Sequence, residues 1–149
     1  MLTEAIQTMR DQVSVALQDG MHFQGTIDAF TIDLDAATAV GGAGRGPQPL
    51  RVLLLAMAGC TAMDVISILR KKRQQVTQFS VTVSGARADE HPRVYTDIEI
   101  VYRVAGRDID PHAVARAIEL SETRYCPIIA MLRPSVTIRN RYEIVADSA

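Results

Sequence analysis

Tryptophan is absent from this 149-residue chain, and there are only three phenylalanines and four tyrosines. The core must therefore be aliphatic, built from Val, Ile, Leu, Ala and Met. Neither sign of charge is in excess: 16 basic against 17 acidic residues leave a net charge of -1. That balance gives no electrostatic reason to expect nucleic acid or a membrane surface as a partner. Two cysteines are too few for a disulfide scaffold. The stretch Met1 to Arg10 has no basic region leading into an apolar run, so no secretory signal is read there, and the expected compartment is the cytoplasm. His22, His91 and His112 are scattered without metal-ligand spacing, so no metal site is expected.

What is present is strong local patterning. The length suits a single domain over 1–149. Residues 2–9 read as a short helix or a frayed arm. Val13, Val15 and Leu17 alternate with polar neighbours, Asp19-Gly20 marks a tight turn, and Phe23–Ile27 and Phe30–Leu34 follow as short strands, so a β-meander is expected. The glycine-rich stretch from Gly41 to Pro49 reads as a mobile loop. It lacks the Gly-Lys-Ser/Thr ending of a phosphate loop. Pro49 opens a long helix that ends in the basic run Arg70 to Arg73, where positive charge suits a helix C-terminus.

Beyond that helix, Val76–Gly85 and Arg93–Val104 alternate as a hairpin, with Phe79, Val81 and Val83 on one face and Val94, Ile98, Ile100, Tyr102 and Val104 on the other strand's apolar face. Asp110-Pro111 is a helix-entry signal, and Val114, Ala117, Ile118 and Tyr125 continue as an amphipathic stripe. Cys126-Pro127 repeats the signal for a short helix ending near Leu132. Val136, Ile138, Tyr142 and Ile144 supply a last strand. The expected fold is α+β, in the order β-β-β-α-β-β-α-α-β.

The run Val52–Leu69 sits at the lower edge of a membrane span in length. It contains Thr61, Asp64 and Ser67 and is followed by alternating strands, so a buried helix of a protein outside the membrane is the expected reading. Extended from Pro49 to Arg73, that helix is about 37 Å long. A domain of this size does not readily surround it, and Ala56, Ala58, Gly59 and Ala62 offer small surfaces for a second backbone. A symmetric homodimer with its long helices packed together follows as an expectation.

Chemistry points to the two cysteines. Cys60 lies midway along the apolar helix, and Cys126 stands at the junction of two helical patterns. A reactive cysteine needs its thiolate stabilised. Cys126, placed as the cap of a helix beginning at Pro127 with Arg124 two residues away, has local means of lowering its pKa. Cys60 needs a charge from elsewhere, with Arg51 and Arg45 as candidates. Asp64, one turn after Cys60, is a candidate proton acceptor or a hydrogen-bonded core group. Glu122 and Arg124 read as a solvated helix end.

The stretch Pro-Gln-Pro-Leu-Arg-Val-Leu-Leu-Leu-Ala-Met-Ala-Gly-Cys60-Thr-Ala-Met-Asp, followed by Leu-Ser-Glu-Thr-Arg-Tyr-Cys126-Pro, resembles the OsmC/Ohr family of osmotically induced and organic hydroperoxide resistance proteins. The resemblance implies an intertwined α+β homodimer with the long helix at its centre. It implies thiol-dependent reduction of organic hydroperoxides in oxidative stress defence, without a cofactor. Cys60 would be the peroxidatic cysteine, Cys126 the resolving one, and a dithiol such as dihydrolipoamide the reductant. The chain departs from the family pattern at Arg51, where the family carries a glutamate, and Gln18-Asp19-Gly20 stands where the Ohr branch has an arginine. A non-catalytic module, either a redox sensor or a binder of small apolar molecules, is the alternative on the same fold.

Overall fold

The computed structural model describes residues 10–147; the segment 2–9, expected as a helix or arm, lies outside them. The chain forms two compact units, one ending at Val52 and one beginning at Leu53.

The first unit is an antiparallel meander of β1 (Ser14–Asp19), β2 (His22–Ile27) and β3 (Phe30–Leu34), paired in that order. Gly20 closes the first turn at φ +54°, a conformation open to glycine at no steric cost. The expected apolar positions are present but uncovered: Val15, Leu17 and Phe30 are exposed, and among the strand residues only Gly25 is buried. The glycine-rich loop is not free, contrary to the expectation from its composition. The buried Asp35 carboxylate accepts the backbone N–H groups of Ala36, Ala43 and Arg45 at 2.8, 3.0 and 3.1 Å. Its own N–H donates to the Pro47 carbonyl at 3.2 Å. The Arg45 N–H, followed by that of Ala43, holds this carboxyl below the usual carboxylate range.

Helix α1 spans Pro49–Lys71, ending two residues earlier than expected because Arg73 turns to φ +57° and the Gln74 N–H caps the Leu69 carbonyl at 3.0 Å. Its length and mean hydropathy would suffice to cross a membrane. Met57, Thr61, Val65 and Leu69, four residues apart, form its buried stripe.

The second unit carries a sheet in the order β4 (Gln75–Arg87), β5 (Tyr95–Arg107) and β6 (Thr137–Ala146). β4 and β5 are antiparallel, and β6 returns parallel to β5. Ile98, Ile100, Tyr102 and Val104 of β5 have no exposed surface and form the core with the stripe of α1. The opposite face is charged, with Arg139 bonded to Asp97 and Arg141 to Glu99. Val94, expected on the apolar face, precedes β5 and is exposed. The register slips at Ala86/Arg87, so Tyr95 takes the buried place instead.

Between β5 and β6 lie α2 (Pro111–Leu120) and α3 (Pro127–Leu132). The Asp110 side chain accepts the His112 N–H at 2.9 Å and caps α2, as the sequence signal indicates. Val114, Ala117 and Ile118 are buried, but Tyr125 is exposed and leaves the expected stripe. The cause is a π-turn over Ser121–Tyr125, closed by the Cys126 N–H to the Ser121 carbonyl at 2.8 Å. An i→i−5 turn inserts one residue into the helical phase. Consecutive Ser121 and Glu122 are thereby both turned inward.

Candidate active site

Helix α1 presents Cys60 and Asp64 one turn apart, on the same side. The π-turn delivers Cys126 to that side. The two sulfurs and an Asp64 carboxylate oxygen all lie within 4.8 Å of one another. Both cysteines are free thiols; Cys60 is half-buried and Cys126 is 2% exposed. Three donors of this kind are the number an open catalytic zinc site uses and one fewer than a closed structural site, and the carboxylate also takes a hydrogen bond from Ser121. The arrangement is that of a thiol pair with an adjacent carboxylate.

Cys126 is the N-cap of α3, its sulfur accepting the Ile129 N–H at 3.5 Å. The expected fall in its pKa does not follow. Burial pushes the thiol up to about 11, the Ile129 N–H offsets only part of this, and the adjacent Cys60 raises it further. Arg124 is exposed, its guanidinium lying over the Tyr125 ring, 5.6 Å from the centroid. Arg45 and Arg51, the other candidate cations, belong to the first unit, and both are exposed.

Behind the thiols is a buried polar chain that joins Asp64 to Glu122 through three hydroxyls that were not sequence candidates, those of Ser121, Thr61 and Tyr102. Ser121 Oγ donates to Asp64 Oδ2 at 2.9 Å. Ser121 Oγ lies 2.8 Å from Thr61 Oγ1, which lies 2.7 Å from the Tyr102 hydroxyl. Tyr102 in turn is 3.0 Å from Glu122 Oε1. Glu122 is therefore buried rather than part of a solvated helix end. Its second oxygen accepts from Asn140 Nδ2 at 2.6 Å, and an Arg133 nitrogen lies 4.0 Å away. Burial raises the Tyr102 pKa well above the ordinary tyrosine value, so its hydroxyl keeps its proton. Asn140 carries a sequence signal of its own, as a polar residue in an otherwise apolar phase of β6 between Ile138 and Tyr142.

A groove of about 540 Å³ opens beside Asp64, bordered by Met63, Ser67 and Tyr125, with Lys71 and Lys72 also on its wall. Chemically, the arrangement offers a half-buried thiol, a second, buried thiol close by and a carboxylate beside both, a set able to support thiol–disulfide chemistry.

Residues 41–140 match the family model described as OsmC-like protein. The chain is 43% identical over 102 residues to Protein YhfA of Escherichia coli (strain K12), covering 68% of this chain and 76% of that protein. A crystal structure of a hypothetical protein from Aquifex aeolicus VF5 superposes with a TM-score of 0.84 at 28% identity, covering 95% of this chain and 100% of that one. An organic hydroperoxide resistance protein OsmC from Legionella pneumophila superposes with a TM-score of 0.66 at 12% identity, over 91% and 98% of the two chains.

Proposed function

The chain belongs to the OsmC-like protein family, and from that premise we propose that it reduces organic hydroperoxides through its two thiols. The family includes organic hydroperoxide resistance proteins. The observation that carries the reading is the approach of the Cys60 and Cys126 sulfurs and the Asp64 carboxylate to within 4.8 Å of one another.

Cys60 is the attacking thiol because it is the more accessible and Cys126 is held as the neutral thiol. Its thiolate attacks the distal peroxide oxygen, and the O–O bond breaks. The alkoxide takes up a proton and leaves as an alcohol, and Cys60 becomes a sulfenic acid. Cys126 then attacks the Cys60 sulfur. The displaced hydroxide leaves as water once it has taken up the proton that Cys126 gives to Asp64, and a disulfide forms. Asp64 is the group placed to receive the Cys126 proton, which matters because that thiol does not ionise unaided near neutral pH. A dithiol such as dihydrolipoamide returns both thiols by exchange. Arg51 and Arg45 are the candidate cations for the Cys60 thiolate, and the setting is the cytoplasm.

The working form is a homodimer. Leu55 and Met63 on α1 are 70% and 73% exposed, and the first unit's Phe30 is 72% exposed. Each unit thus carries large apolar side chains in water, which a second copy of the chain would cover.

The raised pKa of Cys126 favours one other reading, a redox sensor that oxidises once and does not turn over. A thiol count after one equivalent of cumene hydroperoxide, then dihydrolipoamide, separates the two. Loss of both thiols to an intramolecular disulfide, with recovery and repeated turnover, is the expected result. Oxidation without turnover selects the sensor, and two unreacted thiols overturn both.

A further inference from the structure

The run of side chains from Asp64 to Glu122 has more contacts than hydroxyl hydrogens to fill them. It has four oxygen–oxygen contacts in series: Asp64 to Ser121, Ser121 to Thr61, Thr61 to Tyr102, and Tyr102 to Glu122, at 2.9, 2.8, 2.7 and 3.0 Å. Each contact needs one hydrogen between its oxygens. The three hydroxyls supply one hydrogen each, so three are available for four contacts. Ser121, Thr61 and Tyr102 have no exposed surface, so no water takes up the deficit at the hydroxyls themselves. With both end carboxylates ionised, two oxygens would face each other lone pair to lone pair inside the protein.

We propose that the Asp64 and Glu122 carboxyls share one proton through the Ser121, Thr61 and Tyr102 hydroxyls, forming a relay that sets the charge beside the thiol pair. Two arrangements satisfy all four contacts. In one, Glu122 carries the proton and donates to Tyr102, Tyr102 to Thr61, Thr61 to Ser121, and Ser121 to an ionised Asp64. In the other, every donor reverses: Asp64 carries the proton and the run ends on an ionised Glu122. Passing between them moves four hydrogens by one bond each and transfers one negative charge between the carboxyls, with no net gain or loss of protons.

The surroundings favour neither end outright. Glu122 faces Tyr102 from β5, Asn140 from β6 and Arg133 after α3. Asp64 faces Cys60 from α1, Cys126 before α3 and Ser121, while Lys71 and Lys72 line the groove it borders. A thiolate near Asp64 drives the shared proton toward Asp64, and its loss releases the proton back to Glu122. The Tyr102 hydroxyl, which burial keeps protonated, is the link between the two halves. The proton inventory stands whatever the thiols reduce.

The test is infrared spectroscopy of the reduced full-length protein at pH 7, following the carbonyl stretch of a protonated carboxylic acid and its shift in deuterium oxide. The native protein is expected to show this band. Glu122→Gln and Asp64→Asn are each expected to abolish it, since either amide supplies the missing hydrogen and leaves the other carboxyl ionised. Tyr102→Phe, which splits the chain into two parts that each satisfy their own contacts, is expected to abolish it as well and guards against an amide variant that does not fold. Absence of the band from native protein overturns the relay. So does its survival in Tyr102→Phe, or its loss in only one of two folded amide variants, which would assign a fixed proton to a single carboxyl.

Discussion

The two sheets of this protein are built from similar alternating strands but treat their apolar faces differently. In the second unit, Ile98, Ile100, Tyr102 and Val104 lie fully buried along one strand. In the first unit, Val15, Leu17, Phe30 and Ile32 are between 38% and 72% exposed. Alternation specifies which residues share a face, not what covers that face. One sheet completes its core from its own part of the chain, through the stripe Met57, Thr61, Val65 and Leu69 and the helix α2. The other presents an apolar surface that a partner is expected to complete.

The sharpest way to break the comparison is to truncate one residue on each sheet. Ile98→Ala should cost about 2–5 kcal/mol of unfolding free energy, because it leaves a cavity in a filled core. Phe30→Ala should cost within about 0.5 kcal/mol in dilute, monomeric protein. Denaturant titrations at two protein concentrations check both. A Phe30→Ala cost that grows with concentration identifies the first sheet as part of the interface.

Next in size is Gly85→Ala. A Cβ at Gly85 would stand 2.6 Å from the Tyr95 ring, so the ring must move from its buried place. Overpacking of this kind costs about 1–3 kcal/mol, and thermal unfolding reads it. Gly59→Ala is the contrasting glycine, with nothing within 4 Å of its added Cβ. In an isolated chain this change should stabilise α1 by up to about 1 kcal/mol through helix propensity. If a second helix is seated there, the same change should weaken association, which sedimentation equilibrium detects.

Two smaller effects concern titration. Cys126 has its folded pKa raised to about 11, so its contribution to stability is complete below the ordinary thiol range and is lost as pH rises toward 11. The stability difference between native protein and Cys126→Ser should therefore change across that alkaline window and be flat near neutrality. In the same samples at pH 7, iodoacetamide should label Cys60 well before Cys126; equal rates would contradict the burial argument. Asp35 has the opposite sign. Its lowered pKa stabilises the loop above the ordinary carboxylate range, and this is lost as pH falls through the folded value. Amide exchange at Ala43 and Arg45 should speed up in acid and in Asp35→Asn.

Most of the element order was legible from local signals. Asp110-Pro111 and Cys126-Pro127 open helices, Asp19-Gly20 closes a turn, and strict alternation marks the strands. The misreadings share a cause. One unbroken helical period puts Tyr125 on the apolar stripe, and a charged residue at a helix end reads as solvated, whereas the π-turn at Ser121–Tyr125 shifts the phase by a residue, exposing Tyr125 and burying Glu122. An unbroken hairpin register puts Val94 on the apolar face, whereas the register slips beside Arg87. One-residue insertions of this kind leave composition and spacing almost unchanged, yet they decide which side chains face inward.

The two thiols were legible for the same reason as the helices: each sits in a distinctive local stretch. Their meeting is a long-range event, set by how the π-turn and α3 pack on α1. The sequence by itself determined the strands, the helices, their order and the residues able to do thiol chemistry, because propensity, capping and hydrophobic period act within a few residues. Only the tertiary structure decided that Cys60, Asp64 and Cys126 come within 4.8 Å. It also decided that burial outweighs the helix cap at Cys126, and that Ser121, Thr61, Tyr102 and Glu122 join into one chain, because desolvation and hydrogen bonding across elements depend on contacts between residues far apart in sequence.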